Sequence, residues 1–203
     1  MKAYRSLPEG YREAFHIDAR NKKVGILLNL VALGILAIVV GIAFLPVLLW
    51  GMPKSEGTMG FWETELLLLG WVAAMFVYLV LHELTHGVAY RVLTGSKLTF
   101  GMSWSCAFCG VPNIYTYRRT ALIALLAPLV LFTVLLSALT AGMFFVHPML
   151  YWASVALFGL HLGGCSGDGY MAFLLLFKYK HPRLLMRDTG PEQWIYLPKS
   201  TNQ

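Results

Sequence analysis

Five consecutive residues, His82-Glu83-Leu84-Thr85-His86, have the types and spacing needed for metal-dependent hydrolysis. Two histidines four positions apart lie on one face of a helix, so both imidazoles can bind the same metal ion. A glutamate beside the first histidine is placed to take a proton from a water molecule that the metal activates. The pattern is typical of zinc peptidases, and it predicts His82 and His86 as zinc ligands and Glu83 as the general base.

The motif lies inside a long apolar run, which is a costly place for three ionisable side chains. The sixteen residues before it, positions 66–81, read LLLLGWVAAMFVYLVL and carry no charge. Chance alone would produce this pattern in about one per cent of chains with this composition. The alternative is a pair of histidines packed in a helical bundle without a metal. Burial of ionisable groups at membrane depth argues against it, because such groups are expensive and mark functional sites.

A catalytic zinc ion takes three protein ligands, so a third must come from outside the motif. The residues after His86 lack the additional histidine of the metzincins. Asp168 is the best candidate, because it is the single acidic residue of a later apolar run and lies among glycines, in GGCSGDGY. His82 lies about eleven residues, and Asp168 about nine, from the cytoplasmic end of its run, so at ~1.5 Å per residue both lie roughly 15 Å from the same surface.

His161 and Pro128 are further candidates for roles at this site. His161 precedes Asp168 by two helical turns and shares roughly the same helix face. It could bind the metal, orient Asp168 or bind a substrate carbonyl. Its position about 10 Å nearer the outside makes direct ligation the less favoured of these roles. Pro128 is predicted to kink the third apolar run and to help water reach the metal.

The composition predicts an all-α integral membrane protein with a single domain and four transmembrane helices. Of the 203 residues, 58% are hydrophobic and 13% are charged, whereas roughly a quarter of the residues of a soluble domain are charged. About 20 apolar residues suffice to cross a bilayer. The first run is longer than a signal-peptide core and is expected to stay in the mature protein. We predict spans at 24–50, 64–93, 119–146 and 150–178, an N-terminal segment 1–23 and a tail 179–203.

The basic residues predict which side of the membrane each segment occupies. All of the 16 Lys and Arg residues except Lys54 lie in the N-terminal segment, in the connection between the second and third spans, or in the tail. The positive-inside rule then places both termini and this connection in the cytoplasm of a multi-pass cell-membrane protein. The net charge of +6 is explained by this topology and by attraction to the anionic lipid bilayer, and no feature indicates nucleic-acid binding.

Two segments outside the spans have recognisable patterns. Residues 1–22 mix charged and aromatic residues, which predicts a short amphipathic helix on the membrane surface or a strap that packs on the cytoplasmic face. Residues 98–119 alternate threonine, aromatic and small residues, which predicts a β-hairpin or a re-entrant loop, with a plain connector as the alternative. Cys106 and Cys109 lack a second cysteine pair nearby, so we expect reduced packing cysteines rather than an accessory metal or redox site.

The motifs together resemble the site-2 protease class of intramembrane zinc metalloproteases, in which HExxH and an Asp-Gly element of another transmembrane helix form the metal site. The resemblance implies His82 and His86 as ligands, Glu83 as the general base and Asp168 as the third ligand. Ala-Pro128 resembles the Gly-Pro of this class. The Asn-Pro that precedes Asp-Gly in many members is absent here, since GGCSG occupies positions 163–167.

Finer details resemble a small bacterial family described as "putative zincin peptidases". These details cover roughly residues 75–196 and comprise HELTHG, YTYRR followed by LIALLAPLVL, GGCSGDGYM, and the tail motif Asp188-Thr-Gly190 with Ile195-Tyr196. The expected function is that of an intramembrane zinc endopeptidase whose substrate is a membrane-embedded or membrane-adjacent protein or peptide.

Two other functions remain open from the sequence. One is a membrane HExxH protease resembling the CAAX-processing and stress-response enzymes, which use a downstream glutamate as the third ligand. The only acidic residues after Asp168 are Asp188 and Glu192, so Glu192 would have to serve. The other is a non-catalytic membrane adaptor that binds a metal without hydrolysing any substrate.

Overall fold

Long apolar helices dominate the computed structural model, which describes residues 3–52, 59–102 and 107–199. In this part of the chain, three helices are long and apolar enough to cross a membrane, namely α1 (Lys22–Trp50), α2 (Phe61–Thr94) and α3 (Arg118–Phe144). A fourth crossing is formed if one counts α4 (Pro148–Gly164), α5 (Ser166–Phe173) and the π-helical turn Leu174–Lys178 as one span with a 40° bend. The predicted span limits differ from these by three residues or fewer.

The prediction of an all-α chain is confirmed only in part: the chain is mostly helical, but segments outside the long helices form β-sheets. One antiparallel sheet has four strands in the order β1-β6-β5-β4, and a second pairs β2 with β3. The strands are β1 (Tyr11–Asp18), β2 (Thr99–Met102), β3 (Ala107–Gly110), β4 (Thr116–Tyr117), β5 (Leu185–Asp188) and β6 (Glu192–Pro198).

The two segments with recognisable patterns both contain strands. The N-terminal segment forms β1 rather than an amphipathic helix, and it pairs with β6 near the other end of the chain. A β-strand was not predicted here because the paired residues lie 174 to 187 positions apart, and the local pattern carries no trace of so distant a partner. The antiparallel pairing of β2 with β3 agrees with the hairpin expected within residues 98–119.

The chain folds into two compact units, and α1, α2 and α3 each contribute residues to both. The first unit comprises Met1–Leu28, His82–Pro128 and Gly167–Gln203, and the second comprises Asn29–Leu81 and Leu129–Ser166. In the first unit, buried side chains of α3, α5, the π-helical turn and the four-stranded sheet form one apolar core, so burial of this surface fixes α5 against the sheet. The core residues are Ala121, Leu125, Met171, Leu174, Leu175, Leu184, Met186 and Ile195.

The second unit is a helical bundle whose helices approach closely at glycine. A Cβ atom added to Gly163 of α4 would lie 3.1 Å from Ala32 Cα of α1, a contact tighter than side chains tolerate without movement. Helix α4 begins after His147, whose Nδ1 accepts a hydrogen bond from the Met149 N–H at 3.1 Å, with Pro148 as the first helical residue. His147 therefore serves as a helix cap.

Candidate metal centre

The first unit brings together the three residues that the sequence nominates as metal ligands. His82 and His86 lie one turn apart on α2, and their ring centroids are 5.0 Å apart. Asp168 lies in the first turn of α5, directly after the break in the fourth apolar run. Its Oδ2 atom is 3.7 Å from His82 Nε2 and 3.1 Å from His86 Nε2. One ligand atom from each residue thus lies within 4.8 Å of the others.

This donor set fits zinc. In a tetrahedral site with bonds of about 2.0–2.1 Å, two ligand atoms lie roughly 3.3–3.4 Å apart. The distances of 3.7 and 3.1 Å from Asp168 to the two histidines lie on either side of that value. Two imidazole nitrogens and one carboxylate oxygen are a usual set for a catalytic zinc and leave the fourth position open. Their assignment as ligands remains a prediction.

A hydrogen bond to α3 sets the orientation of His86. Its Nδ1 lies 2.8 Å from the carbonyl oxygen of Ala124, which is fully buried. A carbonyl oxygen can only accept, so the bond requires a proton on Nδ1 and leaves Nε2 free to bind a metal. The ring is thereby held in the tautomer that a ligand at Nε2 needs.

Glu83, the predicted general base, is held by the β2–β3 pair. Its carboxylate accepts a hydrogen bond from the backbone N–H of Cys109 in β3. The pair also packs tightly on α2, because a Cβ atom added to Gly87 would lie 2.9 Å from the Phe100 ring and 3.0 Å from the Leu98 side chain. The carboxylate beside His82 is therefore fixed from outside its own helix.

Cys109 is a buried thiol in the same region. Burial, followed by the negative charges of Glu83 and Asp188, raises its pKa to about 12. The group is a neutral thiol at pH 7 and packs as a small apolar side chain, in keeping with the role expected from the sequence. Cys106 lies outside the described residues.

Tyr90 and Asp188 form a buried pair that the sequence analysis missed. The Tyr90 hydroxyl donates to Asp188 Oδ2 at 2.7 Å, and the Gly190 N–H donates to Oδ1 at 2.8 Å. Tyr90 follows His86 by one turn, so His82, His86 and Tyr90 share one face of α2. That four-residue period was the available signal, together with the Asp188-Thr-Gly190 motif, to which no role had been assigned.

The turn that begins at Asp188 contacts the other parts of the site. The Asp188 carbonyl accepts from the Val111 N–H at 2.8 Å, directly after β3. A Cβ atom added to Gly110 would collide with the backbone of Thr189. Met186, two residues before Asp188, belongs to the core that holds α5. Strand β5 and this turn therefore link α2, α5 and the β2–β3 pair within the first unit.

His161 and Pro128 are the two remaining candidates from the sequence. His161 is fully buried in the second unit, where its Nδ1 lies 2.8 Å from the Tyr78 hydroxyl oxygen and its Nε2 lies 3.1 Å from Thr133 Oγ1. Pro128 lies inside α3, four residues after Ala124. Both residues remain candidates rather than assigned parts of the site.

Glu192, the third ligand required by the CAAX-type alternative, has basic partners on the four-stranded sheet. Its carboxylate forms an ion pair with Arg20 and lies 3.3 Å from His16 Nε2. His16 also stacks on Trp194, with ring centroids 4.7 Å apart. The carboxylate charge of Glu192 is thus already paired at the protein surface.

Comparison with known proteins identifies the family of the chain. The sequence profile of the family described as "putative zincin peptidase" matches residues 75–182, and the chain belongs to that family. Zinc is the cofactor that this membership implies, and metallopeptidase is the activity. The matched range contains the HELTH motif and Asp168 and ends before the Asp188-Thr-Gly190 turn. No curated protein and no solved structure matches the chain.

Proposed function

We propose that the protein is an intramembrane zinc endopeptidase that hydrolyses peptide bonds of membrane-embedded or membrane-adjacent substrates. The observation that carries this proposal is the convergence of His82, His86 and Asp168, whose ligand atoms lie within 4.8 Å of one another. Glu83 follows the first ligand directly in sequence and is held by a backbone donor. These groups supply the three ligands and the base that metal-assisted peptide hydrolysis requires.

The residues divide the chemistry between them. When bound, zinc lowers the pKa of a coordinated water to about 7 and polarises a peptide carbonyl. Glu83 takes the proton of the attacking water and delivers it to the nitrogen of the leaving amine. The Cys109 N–H holds the Glu83 carboxylate on one side while the proton moves. A helical substrate must unwind locally, because helical hydrogen bonds shield its carbonyl groups from attack.

A membrane location is supported by the surfaces of the long helices. Helix α1 contains no buried residue although it is strongly apolar, and it exposes large side chains such as Leu27, Leu33 and Leu48. Exposed apolar surface of this extent is typical of helices that contact lipid. We therefore propose a multi-pass protein of a cell membrane.

The pairing of β1 with β6 supports the proposed topology. These strands lie near the two ends of the chain, and seven residue pairs from Tyr11↔Pro198 to Asp18↔Glu192 join them. Two paired strands must lie on the same side of a bilayer, since open sheet edges do not occur in lipid. The number of crossings between them is then even, which favours four spans over three. Together with the distribution of Lys and Arg, this favours cytoplasmic termini.

The alternatives make different demands on the same residues. A CAAX-type site would need Glu192, whose carboxylate is paired with Arg20 and His16. The Asp168 carboxylate lies beside both histidines instead. A non-catalytic adaptor would need the metal ligands but would have no use for the base at Glu83.

The test combines zinc content with cleavage of a reporter transmembrane segment by the protein reconstituted in lipid vesicles. Glu83→Ala should retain zinc and cleave the reporter roughly 10²–10⁴-fold more slowly, the usual contribution of a general base. His86→Ala should lose both the bound zinc and the cleavage of the reporter. Glu65→Ala is the matched control, because Glu65 is an exposed glutamate of the same helix. A folded Glu83→Ala variant that cleaves as fast as the wild type contradicts the proposal.

A further inference from the structure

The carbonyl of Ala124 is the hydrogen-bond acceptor for His86, and its place in α3 is unusual. In an α-helix each carbonyl accepts from the N–H four residues later. Four residues after Ala124 stands Pro128, and proline has no backbone N–H. The Ala124 carbonyl therefore lacks the donor that every other residue type at position 128 would supply. The Nδ1–H of His86 takes the place of the missing donor, with Nδ1 2.8 Å from the Ala124 carbonyl oxygen.

The surroundings of Ala124 make its hydrogen bond with His86 important for the stability of α3 and for the orientation of the imidazole. Ala124 is fully buried, and a buried carbonyl without a donor is costly. Its side chain packs in a cluster with Tyr90, which lies one turn after His86 on α2. The close approach of α2 and α3 at this level is thus also maintained by apolar contacts. The His86 imidazole therefore bonds to an Ala124 carbonyl whose position and direction are fixed by the packing of the two helices.

We propose that Pro128 is a positioning residue for the zinc site, which acts by withholding a backbone N–H so that the Ala124 carbonyl is reserved for His86. The bond to this carbonyl fixes the ring rotation of His86 and keeps the proton on Nδ1, so that Nε2 faces Asp168. The inference rests on the proposed zinc site. It differs from the sequence expectation for Pro128, because the missing donor matters rather than a kink in the helix.

Replacement of Pro128 separates this role from a structural one. Pro128→Ala restores an N–H that bonds to Ala124 within α3 and competes with His86. We expect the zinc Kd, measured by competition with a chelator, to weaken about 10-fold, as for other partners that orient a ligand. The metal-free variant should unfold at an equal or higher temperature, because alanine favours a helix interior more than proline does.

Two further variants complete the design. Pro128→Gly also restores the N–H but is a poorer helix former than alanine. It should weaken zinc binding as much as Pro128→Ala does while unfolding at a lower temperature than that variant. Pro46→Ala is the matched control, because Pro46 lies inside α1 and is remote in sequence from every proposed ligand. It should change the unfolding temperature and leave the zinc Kd unchanged.

Histidine NMR of the zinc-loaded protein supplies a readout that fold stability does not move. The wild type should show a His86 Nδ1–H that its bond to the Ala124 carbonyl protects from exchange with water, and this proton should exchange faster in both Pro128 variants. The inference is overturned if both Pro128 variants bind zinc as tightly as the wild type, or if Pro46→Ala weakens zinc binding by as much as they do. In either case, zinc binding by the wild type still supports the proposed function. A wild-type protein that binds no zinc overturns both.

Discussion

The Asp188→Asn variant should gain free energy of unfolding relative to the wild type as the pH rises. Asp188 is 4% exposed, and burial raises its pKa from 3.8 to about 6. The hydrogen bonds from Tyr90 and Gly190 lower the pKa, but their effect is smaller than that of burial. Asparagine fits the same place without a charge. Its oxygen can accept from the Gly190 N–H, and its amide can donate to the Tyr90 hydroxyl, which also accepts.

The magnitude follows from the pKa of Asp188. A rise of about two pKa units corresponds to about 3 kcal/mol, at 1.36 kcal/mol per unit. The folded protein binds this proton more tightly than the unfolded chain does. The resulting stabilisation is complete below the unfolded pKa of 3.8 and is lost as pH rises through about 6. The free energy of unfolding of Asp188→Asn, minus that of the wild type, should therefore increase by about 3 kcal/mol between acidic and alkaline pH.

The assay is chemical unfolding of the metal-free proteins in detergent at intervals from about pH 3 to pH 8. Tyr90, His86, Asp168 and Cys109 surround Asp188 and are present in both proteins, so the difference reports the Asp188 charge together with its coupling to these groups. A difference that stays constant with pH would refute the account of Asp188 as a buried carboxylate.

Asp18→Asn is the control of opposite sign. Partial burial acts to raise the pKa of Asp18, but the hydrogen bonds and charge of Arg20 outweigh it and lower the pKa. The stabilisation from Asp18 is present above its unfolded pKa of 3.8 and is lost as pH falls. The Asp18→Asn variant should therefore lose stability relative to the wild type as pH rises from acid.

Three further predictions follow from single contacts. Tyr90→Phe leaves Asp188 without one of its two donors and should lower the free energy of unfolding at pH 8 by about 1–3 kcal/mol in the same assay, and an unchanged value would contradict the pairing. Gly163→Ala brings a Cβ atom within 3.1 Å of Ala32 Cα and should lower the free energy of unfolding, measured by thermal unfolding, by about 1–3 kcal/mol. The control Gly142→Ala places its Cβ atom in open space and should not lower it, so equal effects of the two substitutions would be inconsistent with this packing. Cys109, with a pKa of about 12, should react with iodoacetamide at pH 8 far more slowly than a free cysteine, as followed by peptide mass spectrometry, and rapid labelling of the native protein would speak against its burial.

The features that depend on local sequence were predictable. Hydropathy locates the apolar helices because about 20 consecutive residues decide whether a segment crosses a bilayer. The four-residue spacing of His82 and His86 places both on one helix face, and counting along two runs brought Asp168 to the same depth. The structure has these three residues as neighbours.

The features that depend on distant partners were not predictable. Strand β1 pairs with β6 across almost the whole chain, so its local pattern was compatible with a surface helix. Asp188 acquires its role only when β5 lies beside Tyr90. The spacing of Ala124 and Pro128 is visible in the sequence, but that α3 presents this carbonyl to His86 becomes evident only in the fold.

The central claim is that two histidines and one aspartate hold a zinc ion. X-ray absorption at the zinc edge, on protein loaded with one equivalent of zinc, tests it most directly. The account predicts nitrogen and oxygen neighbours at about 2.0–2.2 Å, no sulfur neighbour, and a loss of one oxygen neighbour or of the zinc itself in Asp168→Ala. A sulfur neighbour at about 2.3 Å, or an Asp168→Ala spectrum identical to that of the wild type, would contradict it.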